Sequence, residues 1–425
     1  MNSSNSDRRA FWGLTIYALA SLGTMATMSL GVAILMASLV FGNGGPKRFF
    51  SELVALLRLR WIRFYFIASC LLSLACLVSL VAVLISPLTF QGKTVSVHLI
   101  KDLGKLWYFF LPLFLAVGWR RLSLHCQNQV IRAWILGFGV ISSVGVVQFF
   151  TGWPRASEIP YISGYYLTVL FIGHHLSVAS IWIFPFFACL DLIVSRRFSK
   201  DIQLSRWALI TIGALGAFCL FFSWSRTLWL AMPLSLLLWV TLRFSKKTAF
   251  MAALLFVLST LVAFQMPIVQ GRLKSGMGIQ DRVELWQANL NFLKNRPLTG
   301  VGLGKNQELS LYYFQEKYPG RDSYFIGHAH NLYLEITAGL GLLGTLAWLT
   351  WLWAIFRILL QVRRKPDWNQ FASGLICAWL TFFINGLTQV NFWDSKVLHQ
   401  LMWTTGIILF WATNLSKSRT LHVPH

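Results

Sequence analysis

Two histidines one residue apart, His328 and His330 in the stretch GHAHN, are the groups in this chain best suited to acid–base chemistry. An imidazole near neutral pKa takes a proton from a hydroxyl readily. The pair stands immediately before an apolar run, Asn331 to Phe356, long enough to cross a bilayer. That places it at a helix N-terminus at a membrane surface, where backbone N–H groups and the helix dipole favour anionic head groups. A metal reading lacks ligands: HxH supplies only two, and neither HExxH nor DxD occurs anywhere in the chain. No metal and no cofactor is expected.

Cations that could serve the same chemistry lie elsewhere. Arg226, in SWSRT, sits between two apolar runs with only Thr227 beside it, and a guanidinium there either snorkels to the interface or grips a phosphate in bidentate fashion. Arg282 opens a helical segment, where a cation opposes the dipole unless an anion is near; judged alone, a surface salt bridge to Asp281 or Glu284 supplies that anion more readily than a substrate does. Two such arginines would help keep a nearby histidine neutral. His174 and His175, in GHHLS, are read on the outer part of a span from Leu167 to Ser195, where polar rings face a cavity or a partner helix. Packing and hydrogen bonding explain them better than catalysis does. GVGLG, residues 300–304, has no preceding strand, so it reads as a tight turn or a backbone anion nest and not as a dinucleotide fingerprint.

The scaffold that must hold these residues is apolar. Of 425 residues 56% are hydrophobic and 12% charged, and the mean hydropathy is +0.60; soluble domains carry about twice that charged fraction. An all-α polytopic membrane protein is the consequence. The net charge of +23 would suggest nucleic acid in a soluble chain, but its basic residues fall in short loops between apolar runs, as the positive-inside rule requires, so no nucleic acid is expected. The six cysteines are scattered, without CxxC, and read as small core residues.

Taken in order, the runs give about twelve spans. Phe11 to Phe41, interrupted by Gly23, reads as a helical hairpin that is not cleaved as a signal peptide. The basic clusters at Arg8-Arg9, Lys47 to Arg63, Arg120-Arg121, Arg196 to Lys200, Arg243 to Lys247 and Arg357 to Lys365 mark one side as cytoplasmic, with both termini on it. Three regions follow: N-terminal transmembrane helices (1–265), one large, partly helical external loop (266–330) and C-terminal transmembrane helices (331–425). Within the loop, Asp281 to Leu293 reads as an amphipathic helix ended by Arg296-Pro297, and Gln307 to Tyr318 as a second short one. Gly339, Gly341 and Gly344 thin one side of the last long run, which predicts the close approach of a neighbouring helix.

SWSRT, the block DRVELWQANLNFLKNRPLTGVGLG, and His330-Asn331 followed after nine residues by Gly341-Leu-Leu-Gly344 together resemble the O-antigen ligase family of bacterial envelope glycosyltransferases. The resemblance runs from about Gly164 to Gly344, and the motifs agree in order. It implies a GT-C-like fold in the bacterial inner membrane and a periplasmic site. His330 would be the general base, and Arg226 and Arg282 the groups engaging the donor's diphosphate. His328, Asn331, His174, His175 and Arg155 are expected to contact substrate. The implied donor is an undecaprenyl diphosphate-linked O-antigen and the implied acceptor lipid A-core, among membrane lipids and without an obligate protein partner. The same superfamily contains O-antigen polymerases and protein O-oligosaccharyltransferases; moderate length, one large loop and a short tail favour the ligase. From another class, a lipid-linked glycan transporter or flippase also fits the hydropathy, but it would need polar residues along the midplane and recognisable inverted repeats.

Overall fold

The computed structural model describes residues 7–90, 92–98, 102–154, 164–195, 201–274, 279–321, 327–364 and 369–420, and Arg155 lies outside them. The regular structure of the described chain is helical, joined by turns and irregular segments, with one isolated bridge between Phe90 and Lys93. In order, the helices are α1 (Arg8–Ala20), α2 (Met25–Val40), α3 (Gly45–Leu57), α4 (Arg60–Ile85), α5 (Leu111–Arg120), α6 (Leu124–Thr151), α7 (His175–Val194) and α8 (Arg206–Phe221). After these come α9 (Arg226–Arg243), α10 (Lys246–Gln265), α11 (Pro267–Lys274), α12 (Ile279–Asn295), α13 (Asn306–Lys317), α14 (Leu332–Arg363), α15 (Asn369–Asn385) and α16 (Ser395–Thr420).

Among the described residues α4, α6, α7 and α14 are long and apolar enough to cross a membrane, and the bent pair α2/α3, at 97°, makes a fifth if counted as one span. Shorter apolar helices, including α8 and the region of α5, accompany them. Polytopic membrane character is thus built in, although the helices that satisfy both length and hydropathy are fewer than twelve. The Phe11–Phe41 run does form a hairpin: α1 and α2 pack together, with the turn closed by Thr24 capping Thr27 N–H at 3.2 Å.

At the centre of the bundle stands α7, whose residues from Ser177 to Cys189 are all buried. A helix apolar on every side belongs in a core. It packs on α8 and α15, and α15 packs on α9, while α4 lies along α14. Cys76, Cys189, Cys219 and Cys377 are buried among these helices. Buried arginines tie the other ends: Arg121 lies 3.5 Å from the buried Asp7 and 2.7 Å from the half-buried Glu52, and Arg243 lies 3.4 Å from the buried Asp191.

Residues 279–321 fold onto the C-terminal end of α4 and build a second, smaller core from Leu285, Ala288, Phe292, Leu309 and Phe314 with Val83, Phe90 and Val95. Here the glycines have a use that hydropathy does not show. α14 breaks at Gly341, where φ is 66° and ψ −170°, a conformation open essentially to glycine alone. The break frees backbone groups on both sides, and the segment after α12 takes them up. Val301 N donates to Ala338 O (3.0 Å), Gly302 N to Gly339 O (2.9 Å), Leu342 N to Pro297 O (2.8 Å) and Leu343 N to Leu298 O (3.2 Å). At Gly341 the close neighbour is the backbone of Leu298 and Thr299 and not a helix, whereas at Gly339 helices do come close, with Ser79 Oγ of α4 donating to Gly339 O at 2.9 Å and Asn306 of α13 beside it, so the expected helix approach holds at Gly339 and is replaced by a turn at Gly341. The same bonds consume the amides of Val301 and Gly302, so GVGLG is a turn and not an anion nest.

Candidate active site

The first turn of α14 fixes the histidine loop. Asn331 caps the helix, its side-chain oxygen accepting from Leu334 N at 3.0 Å, and Leu332 N donates to Gly386 O at 2.7 Å. Asn331 thereby serves the helix end directly. Ahead of it, His330 takes a left-handed φ of 46°, which folds the loop back so that the His328 and His330 rings lie 4.3 Å apart, inclined at 59°. His330 N–H donates to His328 Nδ1 at 3.3 Å, so in the neutral His328 ring the proton sits on Nε2.

Trp286 on α12 reaches the same loop: its Nε1–H donates to Ala329 O at 2.8 Å. Arg282 stands one turn earlier on α12, and this contact carries the guanidinium toward the histidines. It comes close enough to act on both rings electrostatically. Of the two carboxylates that could have paired with it, Glu284 bonds Arg321 at 3.1 Å.

His174 and His175 come from the segment that leads into α7. The expected span Leu167 to Ser195 is helical only from His175. Val169 N and Leu170 N bond the buried Gln148 side-chain oxygen at 2.9 and 2.7 Å, and Leu170 adopts φ 49°, so the chain arrives at α7 as an irregular strap with His174 as the N-cap residue. His175 Nδ1–H donates to Ser223 O at 2.5 Å and pins α7 to the α8–α9 break. That break covers Phe222 to Ser225 and includes Trp224 at φ 57°, so Arg226 opens α9 instead of standing between helices.

One turn joins all these parts. Ser225 Oγ donates to Asn385 Oδ1 at 3.0 Å, Thr227 bonds Thr388, and Gly386 accepts from Leu332, so Arg226 and the histidine loop are anchored to the same Asn385–Thr388 segment. A little further on, Asp394 accepts from Ser177 Oγ at 2.5 Å, Asn391 donates to Leu176 O at 3.0 Å, and Lys396 Nζ donates to Ile172 O at 2.5 Å. Asp394 and Lys396 both act on His174. The sequence reading missed this segment, although a lone carboxylate in NFWDSK, one of only 14 acidic residues in the chain, was a signal.

Electrostatics follow from burial and crowding of like groups. His330 is pushed down to about 3, by burial first and then by His328, Arg282 and His174. His328 is lowered by burial and His174, with a smaller push from Arg282. His174 is lowered by burial and Lys396, against the pull of Asp394. These causes all favour the uncharged imidazole at His330 and hold it well below the near-neutral value expected from the sequence. Among the described residues, no group of three or more His, Cys, Asp or Glu side chains is arranged to hold a metal ion.

His330, Arg282, His328 and His174 are thus brought into one electrostatic cluster, and Arg226 and His175 are tied to it through the backbone of the surrounding turns. Arg226, Arg282, the histidine loop and the Gly341 break all fall within residues 211–349, which match the family described as O-Antigen ligase. No curated protein matches the chain.

Proposed function

Taking as premise that residues 211–349 are an O-antigen ligase family domain, we propose that the chain transfers a polysaccharide from undecaprenyl diphosphate to lipid A-core at the periplasmic face of the bacterial inner membrane. The observation that carries this reading is the convergence of an imidazole kept neutral, His330, and a guanidinium, Arg282, at the head of a membrane-spanning helix, with Arg226 anchored to the same turn.

The chemistry needs two things, a base for the incoming hydroxyl and positive charge for the departing diphosphate. His330 takes the hydroxyl proton as the oxygen forms its bond to the anomeric carbon. The bond from that carbon to the diphosphate oxygen breaks, and Arg226 and Arg282 hold the charge that leaves. One displacement without a covalent intermediate inverts the anomeric configuration. Low basicity in the free protein suits this scheme: a diphosphate arriving beside Arg282 adds negative charge near His330 and raises its affinity for a proton when the acceptor hydroxyl is in place.

On this reading the large loop, residues 266–330, lies in the periplasm and both termini in the cytoplasm, with about twelve crossings in all. The polymerase is separated by lipid extracts from a strain lacking the gene. Long polymer retained on undecaprenyl diphosphate is the ligase outcome, and accumulation of single repeats would assign the chain to the polymerases.

A further inference from the structure

We propose that Glu335 and Trp286 form a clamp that fixes the amides on either side of Ala329, holding His330 in its left-handed conformation and in register with Arg282. The inference rests on the reading of His330 as the base. A non-glycine residue at φ 46° carries strain, and such strain persists only where the surroundings over-determine it. Here they do. Glu335, 5% exposed, accepts Ala329 N–H on Oε2 at 2.7 Å; Trp286 Nε1–H donates to Ala329 O at 2.8 Å; and His330 N–H is taken by His328 Nδ1.

Every polar backbone group from Ala329 N to His330 N therefore has a partner. Two of the three come from rigid helices, Trp286 on α12 and Glu335 on α14. Glu335 extends the N-terminal capping pattern of α14: Asn331 satisfies Leu334 N–H, and the carboxylate reaches back past the cap to Ala329. Asn306, itself bonded to Asn289 on α12, donates to Glu335 O at 3.4 Å and ties the two helices behind the loop. Since Trp286 and Arg282 share one face of α12, the bond that holds the loop also sets how far the guanidinium stands from the imidazole.

Neither clamp residue touches the reacting atoms in this account, so both are positioning residues. Misplacement of a reacting group by about 1 Å costs on the order of a hundredfold. Glu335→Gln keeps an acceptor oxygen for Ala329 N–H, and Glu335→Ala removes it; Trp286→Phe keeps a ring and removes the donor.

The test is steady-state transfer by the purified, reconstituted protein with a lipid-linked donor and lipid A-core, alongside thermal melting and His330→Ala. Expected are losses of about tenfold or more in kcat for Glu335→Ala and Trp286→Phe, with donor KM within about threefold, and near-complete rescue in Glu335→Gln. Unchanged kcat in both Glu335→Ala and Trp286→Phe, or a loss confined to KM, would overturn the clamp while an inactive His330→Ala leaves the base in place. An active His330→Ala would instead remove the reading on which the clamp depends. If Glu335→Ala does not fold, Trp286→Phe decides by the same criteria.

Discussion

Replacing Gly341 with alanine tests the joint that holds the loop against α14. A Cβ on Gly341 would stand 2.5 Å from Thr299 N and still closer to the carbonyl of Leu298, all backbone atoms that no side-chain rotation can move away. Holding a non-glycine residue at φ 66°, ψ −170° costs about 1–3 kcal/mol before any clash. Relieving the clash pushes residues 297–299 off α14 and endangers the bonds from Leu342 N and Leu343 N, each worth about 0.5–1.5 kcal/mol. Together these come to about 2–6 kcal/mol, against total stabilities of about 5–15 kcal/mol for ordinary domains. The assay is the unfolding midpoint of purified protein in one detergent, read beside transfer activity. Gly341→Ala should lower both sharply. Gly271→Ala, in α11 where no atom lies within 4 Å of the added Cβ, serves as the control and should leave the midpoint unchanged or slightly raised. A wild-type midpoint for Gly341→Ala would refute the interlock.

Further outcomes follow from the same geometry. With His330 held to about 3 in the free protein, kcat/KM should show no acid limb from this group between pH 5 and 7; a limb in that range that disappears in His330→Gln would contradict the assignment. Stability should move too: between the ordinary histidine value of 6.5 and about 3, the unfolded chain binds a proton that folded His330 refuses, so unfolding becomes easier as pH falls through this window, and pH-resolved melting of His330→Gln should show a flatter dependence. Arg226→Lys keeps the charge but loses the planar fork, and a kcat loss of at least about tenfold is expected; near-wild-type turnover would mark Arg226 as a helix anchor only. Turnover of the reconstituted protein should survive EDTA, and loss that a divalent ion restores would count against metal-independent transfer.

Much of this arrangement is written in local sequence. Hydropathy separates the apolar helices, Gly23 marks the first hairpin, and the amphipathic pattern of Asp281 to Leu293 finds α12, which the structure extends to Ile279–Asn295. The histidines could be placed at a helix start because the polar run ends abruptly at Asn331, and Asn331 does cap α14. What the sequence does not display is long-range backbone pairing. Glycines at 339 and 341 look alike whether a helix or a turn approaches them, and only the pairing of residues 297–302 with the broken helix decides. Likewise, Leu167 to His174 is apolar enough to be read as helix, yet Gln148, distant in sequence, captures its amides and unwinds it. The contribution of Asp394 and Lys396 depends on α7 lying against the start of α16, which no local pattern encodes.

The most direct measurement is the rate at which His330→Gln, reconstituted with a synthetic lipid-linked donor and lipid A-core, releases undecaprenyl diphosphate in a single turnover, compared with the wild type. Acceptor-dependent release by the wild type and almost none by a variant that still binds donor is the predicted result. Release by His330→Gln at the wild-type rate would contradict an imidazole base beside the diphosphate-binding arginines.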